Sequence, residues 1–188
     1  MKKTLFIIFC IFLPIFLLLF SYKIVLGISN LTENQQETIN FLENKQELNL
    51  NYTTNEISHL EDVKKVISFI DYLFYLSLII ITLITTHYKR NKKQLQKLIK
   101  YGGITTLVSI GLILLFSLFA FNSTFTIFHK IFFPQGNWLF PTNSLIIQTF
   151  PIDFFIGISV KMFILTIILG SIFISLSYYL KNVYRKRS

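Results

Sequence analysis

A single cysteine, Cys10, stands in a chain of 188 residues, so neither an internal disulfide nor a cysteine-based metal site is available. Also missing are a GxSxG elbow, a glycine-rich phosphate loop and an HExxH or comparable ligand spacing. A covalent serine intermediate, phosphate handling by a P-loop and a zincin-type centre therefore have no sequence support. Charge is scarce, at 14% of residues, and nine acidic side chains face eighteen basic ones. No internal repeat or low-complexity tract stands out. What is present is apolar: 53% hydrophobic residues, with 21 phenylalanines. That balance excludes a soluble globular chain and predicts one all-α domain whose outer surface meets lipid.

About 20 apolar residues cross a bilayer, and four runs reach that length. The first, 4–26, follows Lys2 and Lys3 and has the outline of a signal peptide. The run is long, however, and continues through Ile24, Val25 and Leu26 after Lys23, with no small-x-small cleavage site behind it. It reads as a retained span, inside which Pro14 is tolerated. Further spans are expected at 67–86, 101–121 and 157–180, the last interrupted near its start by Lys161. From Glu56, apolar residues Ile57, Leu60, Val63, Ile67 and Ile70 recur at helical spacing, which predicts one unbroken helix running into the second span.

Basic residues cluster at Lys2–Lys3, Lys89–Lys100 and Lys181–Arg187, in groups of two, six and four, twelve of the eighteen. Short basic segments at span ends mark the cytoplasmic side. A four-span chain with both termini cytoplasmic puts all three clusters there and leaves 29–66 and 122–155 extracytoplasmic. Topology thus accounts for the positive charge. No nucleic acid partner is expected, and attraction to anionic lipid is a secondary use.

The segment 122–155 is no ordinary connector. It is dense in phenylalanine and carries Trp138, His129 and three of the four prolines. Such a stretch belongs against a bilayer surface or folded back into protein. With 29–66 it is expected to form a helical and aromatic cap from loops 1 and 3, roofing a site at the membrane–water boundary. His59 and His129 share that side, whereas His87 belongs to the basic loop opposite. Each histidine alone reads as a surface or interfacial residue; two on one face point to a shared site. Glu56 and Asp62 lie three residues either side of His59, on one helical stripe. A carboxylate there orients an imidazole and raises its pKa, as suits a general base; the same spacing also fits a solvated face with i,i+3 charge pairs. A metal site from His59, His129, Glu56 and Asp62 lacks recognisable ligand spacing, and no metal or cofactor is expected. His129 lies among Phe125, Phe128, Phe132 and Phe133, where burial favours its neutral form. Trp138 also fits an interfacial belt anchor. For Asp71 and Lys161, in the outer halves of spans, a mutual pair is one reading and outward snorkelling of Lys161 another.

Four stretches carry a family likeness: Glu56 to Lys64 (EISHLEDVK), Phe128 to Phe133 (FHKIFF), Trp138 to Pro141 (WLFP), and Leu145-Ile146-Ile147 through Phe150-Pro151 to Phe154-Phe155. In this order and between these spans, the chain resembles the lipoprotein intramolecular transacylase family of bacterial membrane enzymes. The family pattern has an acidic residue where Ser144 stands, and another after the final proline, to which Asp153 comes one position late. The resemblance implies an acyltransferase that moves the sn-2 acyl chain of a diacylglyceryl-cysteine to its α-amino group, giving a lyso-form, N-acylated lipoprotein. It implies a diacylated lipoprotein substrate, contact with membrane lipid, no cofactor, and a multi-pass place in the cell membrane with the active site on the extracytoplasmic side. Catalysis then falls to His59 and His129, supported by Glu56, Asp62, Trp138 and Asp153. The competing readings are a non-enzymatic membrane scaffold or transporter subunit, or an acyltransferase acting on another interfacial lipid ester. A transporter calls for polar or broken helices near mid-membrane in more than one span, and apart from Pro14 little of that occurs.

Overall fold

The computed structural model describes residues 2–119 and 121–185. Among them lie α1 (Lys3–Ile28), α2 (Glu33–Leu42), α3 (Thr54–Tyr88), α4 (Lys92–Phe119), α5 (Phe121–Phe132), α6 (Leu145–Thr149) and α7 (Ile152–Arg185). Ala120, at the end of the third expected span, and Lys186 and Arg187, in the C-terminal basic cluster, lie outside the described residues. Helices α1, α3, α4 and α7 are long and apolar enough to cross a membrane. The periodicity after Glu56 does continue into the second span, as the single helix α3. Helices also overrun the apolar runs. Helix α4 starts at Lys92, where Asn91 Oδ1 accepts the Gln94 N–H at 3.2 Å and satisfies one of the helix's orphan donors.

Helix α1 packs against α3, α4 and α7, and α4 lies along α7 most extensively. Between lipid-facing helices the driving force is close packing, which small residues permit. A Cβ on Gly103 of α4 would sit 2.8 Å from the Gly170 carbonyl oxygen of α7. A Cβ on Gly102 would meet Leu13 and Phe9 of α1 at 2.6 and 2.7 Å. Around Gly102 the bundle core gathers Phe9, Leu13, Leu17, Ile84, Tyr88 and Leu98.

Pro14 lacks the N–H that would bond the carbonyl four residues earlier, that of Cys10. The Thr105 hydroxyl of α4 donates to this Cys10 oxygen at 3.0 Å. A neighbouring helix thus satisfies the group that proline frees, as lipid demands. Thr105→Val keeps the shape and removes the donor, so it is expected to cost about 1 kcal/mol. Thermal unfolding in detergent checks this; an unchanged midpoint would mean the bond contributes nothing.

Of the two readings for Asp71 and Lys161, the mutual pair does not form. Asp71 is bonded to Lys23 Nζ at 2.5 Å, because α1 and α3 are packed neighbours that carry these side chains at one level. Lys161 instead lines a cleft of about 300 Å³ with Asp153, Ile28 and Ser29.

The start of α1, the α3–α4 turn and the later turns of α7 meet at one end of the bundle. The Lys2 N–H donates to the Tyr88 hydroxyl at 3.2 Å, Phe6 sets its ring edge to Tyr101 at 5.5 Å, and Lys100 Nζ lies 5.7 Å from the Tyr178 ring. The described parts of the three basic clusters therefore share that end.

At the opposite end the connectors build a small core of their own. Thr32 with Gln35 and Thr53 with Glu56 form capping boxes that start α2 and α3, each threonine–glutamine or threonine–glutamate pair satisfying two orphan N–H groups. Leu42, Tyr52, Leu60 and Ile146 then bury one another, with Phe140, Leu145 and Val63 against them. Gln35 Nε2 donates to the Thr149 carbonyl at 2.8 Å, the Tyr52 hydroxyl donates to Thr149 Oγ1 at 3.2 Å, and Lys64 Nζ stands 4.1 Å from the Phe41 ring. Because Gln35, Tyr52 and Thr149 are buried, these bonds are costly to break. They fasten α2 to α6 at the end of the bundle where α3 begins.

Candidate active site

His59 lies in the second turn of α3, only 7% exposed. Its ring is 4.7 Å from that of Phe133 and 5.5 Å from that of Phe140, centre to centre. His129, in the last turn of α5, packs on Phe125 at 4.0 Å and on Trp138 at 4.9 Å. It also contacts Phe133, at 5.6 Å. One phenylalanine thus touches both imidazoles, and two residues 70 positions apart in sequence share a single aromatic partner.

His129 Nδ1 is 2.8 Å from the Phe125 carbonyl oxygen. A carbonyl only accepts, so Nδ1 carries the hydrogen and Nε2 of the neutral ring is bare. Burial lowers the pKa of His129, opposed in part by this bond. Burial also lowers that of His59, reinforced by the charge of His129 and opposed by Asn137 and Asp62. Both rings are thus shifted toward the neutral form and resist being charged together.

The sign of the pH dependence follows. The unfolded chain takes up these protons near the ordinary value of 6.5, the folded chain only below it. Stability contributed by the neutral rings is present above that value and is lost as pH falls past it. Turnover that needs two bare imidazoles is expected to hold through neutral pH and decline only below 6.5, the reference value for both rings. A rate–pH profile on purified protein checks it; an acidic limb above 6.5 would contradict these environments.

Beyond α5 the chain turns at once. Gly136 N–H donates to the Phe133 carbonyl at 3.1 Å, with Pro134 at the second position as this turn type favours. Gly136 has φ +80°, a left-handed conformation that glycine adopts without strain. The turn sends Gln135 and Asn137 back onto α3, where Asp62 Oδ2 accepts from Gln135 Nε2 at 2.5 Å and from Asn137 Nδ2 at 2.9 Å. Asp62 Oδ1 takes Lys65 Nζ at 2.9 Å. Asp62 thus holds the loop that carries Trp138. Asn137 was not among the residues expected from the sequence, although the Pro134-Gln135-Gly136 turn was a usable signal that the chain doubles back there.

Glu56 is occupied differently. One oxygen accepts the Thr53 N–H at 2.7 Å and the Thr53 hydroxyl at 2.8 Å; the other accepts the Ile146 N–H at 2.9 Å. It therefore caps two helices at once, its own and α6, where Ser144 makes no side-chain cap bond. Burial pushes this carboxyl up, and the donors on Ile146, Thr53 and Leu145 outweigh it, leaving the pKa below its usual value. Asp153, exposed in the first turn of α7, faces the cleft with Lys161. Among the described residues no hydrogen bond joins Glu56, Asp62 or Asp153 to either histidine, and no three His, Cys, Asp or Glu side chains converge as a metal site. The structure brings together His59, His129 and Trp138, with Asp62 one residue removed.

The family model described as Lipoprotein intramolecular transacylase Lit matches residues 3–155, a stretch that contains every residue of this site. The chain belongs to the lipoprotein intramolecular transacylase family. It is an integral membrane acyltransferase that moves an acyl chain within a lipoprotein. Solved structures agree on the fold. The lipoprotein intramolecular transacylase Lit from Bacillus cereus superposes with a TM-score of 0.83 at 20% identity, over 98% of this chain and 97% of that one. Forms of that protein with one histidine changed to arginine or to alanine give 0.82 and 0.81, both at 20% identity. The first covers 99% of this chain and 94% of its own, the second 98% and 95%. Comparison with curated proteins gave no match.

Proposed function

We propose that His59 and His129 are the two proton carriers of the transfer, and that the substrate's own α-amine is the nucleophile. The reaction converts an ammonium and an ester into an amide and an alcohol. Two protons must leave the nitrogen: one ends on the sn-2 glycerol oxygen, the other in water. The α-amine, with a pKa of about 8, is mostly protonated at neutral pH, so one bare imidazole takes its first proton. The amine then attacks the ester carbonyl carbon. As the tetrahedral intermediate collapses, the carbon–oxygen bond to glycerol breaks, the second imidazole takes the remaining nitrogen proton, and the imidazolium returns one to the departing oxygen. The observation that carries this reading is the shared contact with Phe133, with both rings held neutral by burial. Amine and ester belong to one molecule, so positioning them costs little further entropy.

The active site belongs on the extracytoplasmic side, opposite the end that gathers the basic clusters, and both termini belong in the cytoplasm. There the connectors 29–66 and 122–155 act as a cap. Ile127, Phe128, Ile131 and Leu139 stay exposed at 57, 45, 66 and 73%, an apolar face suited to resting α5 in the outer leaflet at the depth of lipid esters. Purified protein given a diacylated lipopeptide or a phospholipid tests the substrate. Lyso-form N-acylated lipopeptide from the first, and no acyl transfer from the second, is expected. The reverse would move the activity to another interfacial ester.

A further inference from the structure

Around His59, two buried polar atoms lack a hydrogen bond of standard geometry: His59 Nδ1 and Asn137 Oδ1. Their residues are neighbours, and the Asn137 side chain acts on the His59 ring as a hydrogen-bonding group. The other end of the Asn137 amide is already fixed, since its Nδ2 donates to Asp62 Oδ2 at 2.9 Å and, more weakly, to Ser58 Oγ at 3.4 Å. With its two N–H groups directed at Asp62 and Ser58, this amide is left with its oxygen to offer His59. A bond from His59 Nδ1–H to Asn137 Oδ1 would satisfy both orphan atoms at once, which their burial favours strongly.

We infer that Asn137 is a positioning residue: anchored by Asp62, its Oδ1 accepts the Nδ1–H of His59, fixes that tautomer and leaves Nε2 bare for the substrate. The inference rests on the proton-carrier reading of His59 for its functional meaning, though not for its geometry. It keeps for Asp62 the orienting role that the sequence spacing suggested, exercised through an intervening amide instead of directly. His129 reaches the same end by another route, with Phe125 carbonyl as its Nδ1 acceptor. Both rings then present Nε2, the nitrogen farther from the backbone.

The test uses full-length protein labelled with ¹⁵N histidine in lipid or detergent. Resonances are assigned by His59→Gln and His129→Gln. Wild-type His59 is expected to be the Nδ1–H tautomer, and Asn137→Ala to mix the two. Turnover of diacylated lipopeptide in Asn137→Ala is expected to fall about 10- to 100-fold, as for other groups that orient a functional histidine, with KM changed less than kcat. Asp62→Ala releases the same amide and is expected to mix the tautomers too. Asp62→Ala/Asn137→Ala should mix the His59 tautomers no further than Asn137→Ala alone, since Asp62 reaches that ring only through the amide. An unchanged His59 tautomer in either variant overturns the inference, and Asp62→Ala serves alone if Asn137→Ala fails to fold. Full turnover in His59→Gln, with the tautomer shift still seen in Asn137→Ala, would instead refute the catalytic reading and leave the positioning contact standing.

Discussion

Changing His129 to asparagine is expected to slow turnover of a diacylated lipopeptide by about 10²- to 10⁴-fold, the usual worth of a positioned proton carrier. Asparagine is the informative replacement here. Its Nδ2–H can still donate to the Phe125 carbonyl where Nδ1 does now, but nothing replaces Nε2. His59→Ala should cause a loss of the same order. It should also lower the unfolding midpoint, because His59 fills a buried space between Phe133 and Phe140. The double replacement should lose little beyond the worse single one, as residues that act as a unit are strongly non-additive. Full turnover in either single variant, with the fold intact, removes that histidine from the chemistry.

Glu56→Ala is expected to act on the fold before it acts on the reaction. The carboxylate is 2% exposed and accepts donors from Thr53 and from Ile146, ninety residues away. Removing it strips a capping box from α3 and leaves the buried Ile146 N–H without an acceptor. Together these cost about 2–5 kcal/mol. Thermal unfolding should show the drop, with activity following the folded fraction. The lowered pKa gives a second readout. Stability from this carboxylate is complete above its ordinary value of 4.5 and is lost as pH falls through the lower folded value; the variant should lack that loss. An unchanged midpoint with turnover abolished would make Glu56 part of the chemistry instead.

How legible was this molecule in its sequence? Spans were readable because lipid imposes a length and a composition on each, whatever the partners. The run from Glu56 into the second span was readable because its periodicity crosses the membrane boundary unbroken. Partner choice was not readable. Asp71 was matched to Lys161 by depth alone, whereas the actual partner is Lys23; choosing between them requires knowing which helices are neighbours. Glu56 was considered for His59 on spacing. The Thr53-Thr54-Asn55-Glu56 capping box was equally visible and names its local use, although its bond to Ile146 depends on tertiary packing alone. The meeting of His59 and His129 could be argued only from their shared side. Phe133 as the ring between them, and Asn137 behind His59, exist because the Pro134–Gly136 turn reverses the chain onto α3, a direction that no periodicity encodes.

In the mechanism proposed above, the protein moves protons while the substrate's amine does the attacking. Intact-mass analysis of purified protein during a single turnover of a diacylated lipopeptide tests it most directly. Conversion to the lyso-form N-acylated product is expected, with the protein's mass unchanged at every time point. Transient gain of one acyl mass, lost as product appears, would contradict it by making a side chain of the protein the nucleophile.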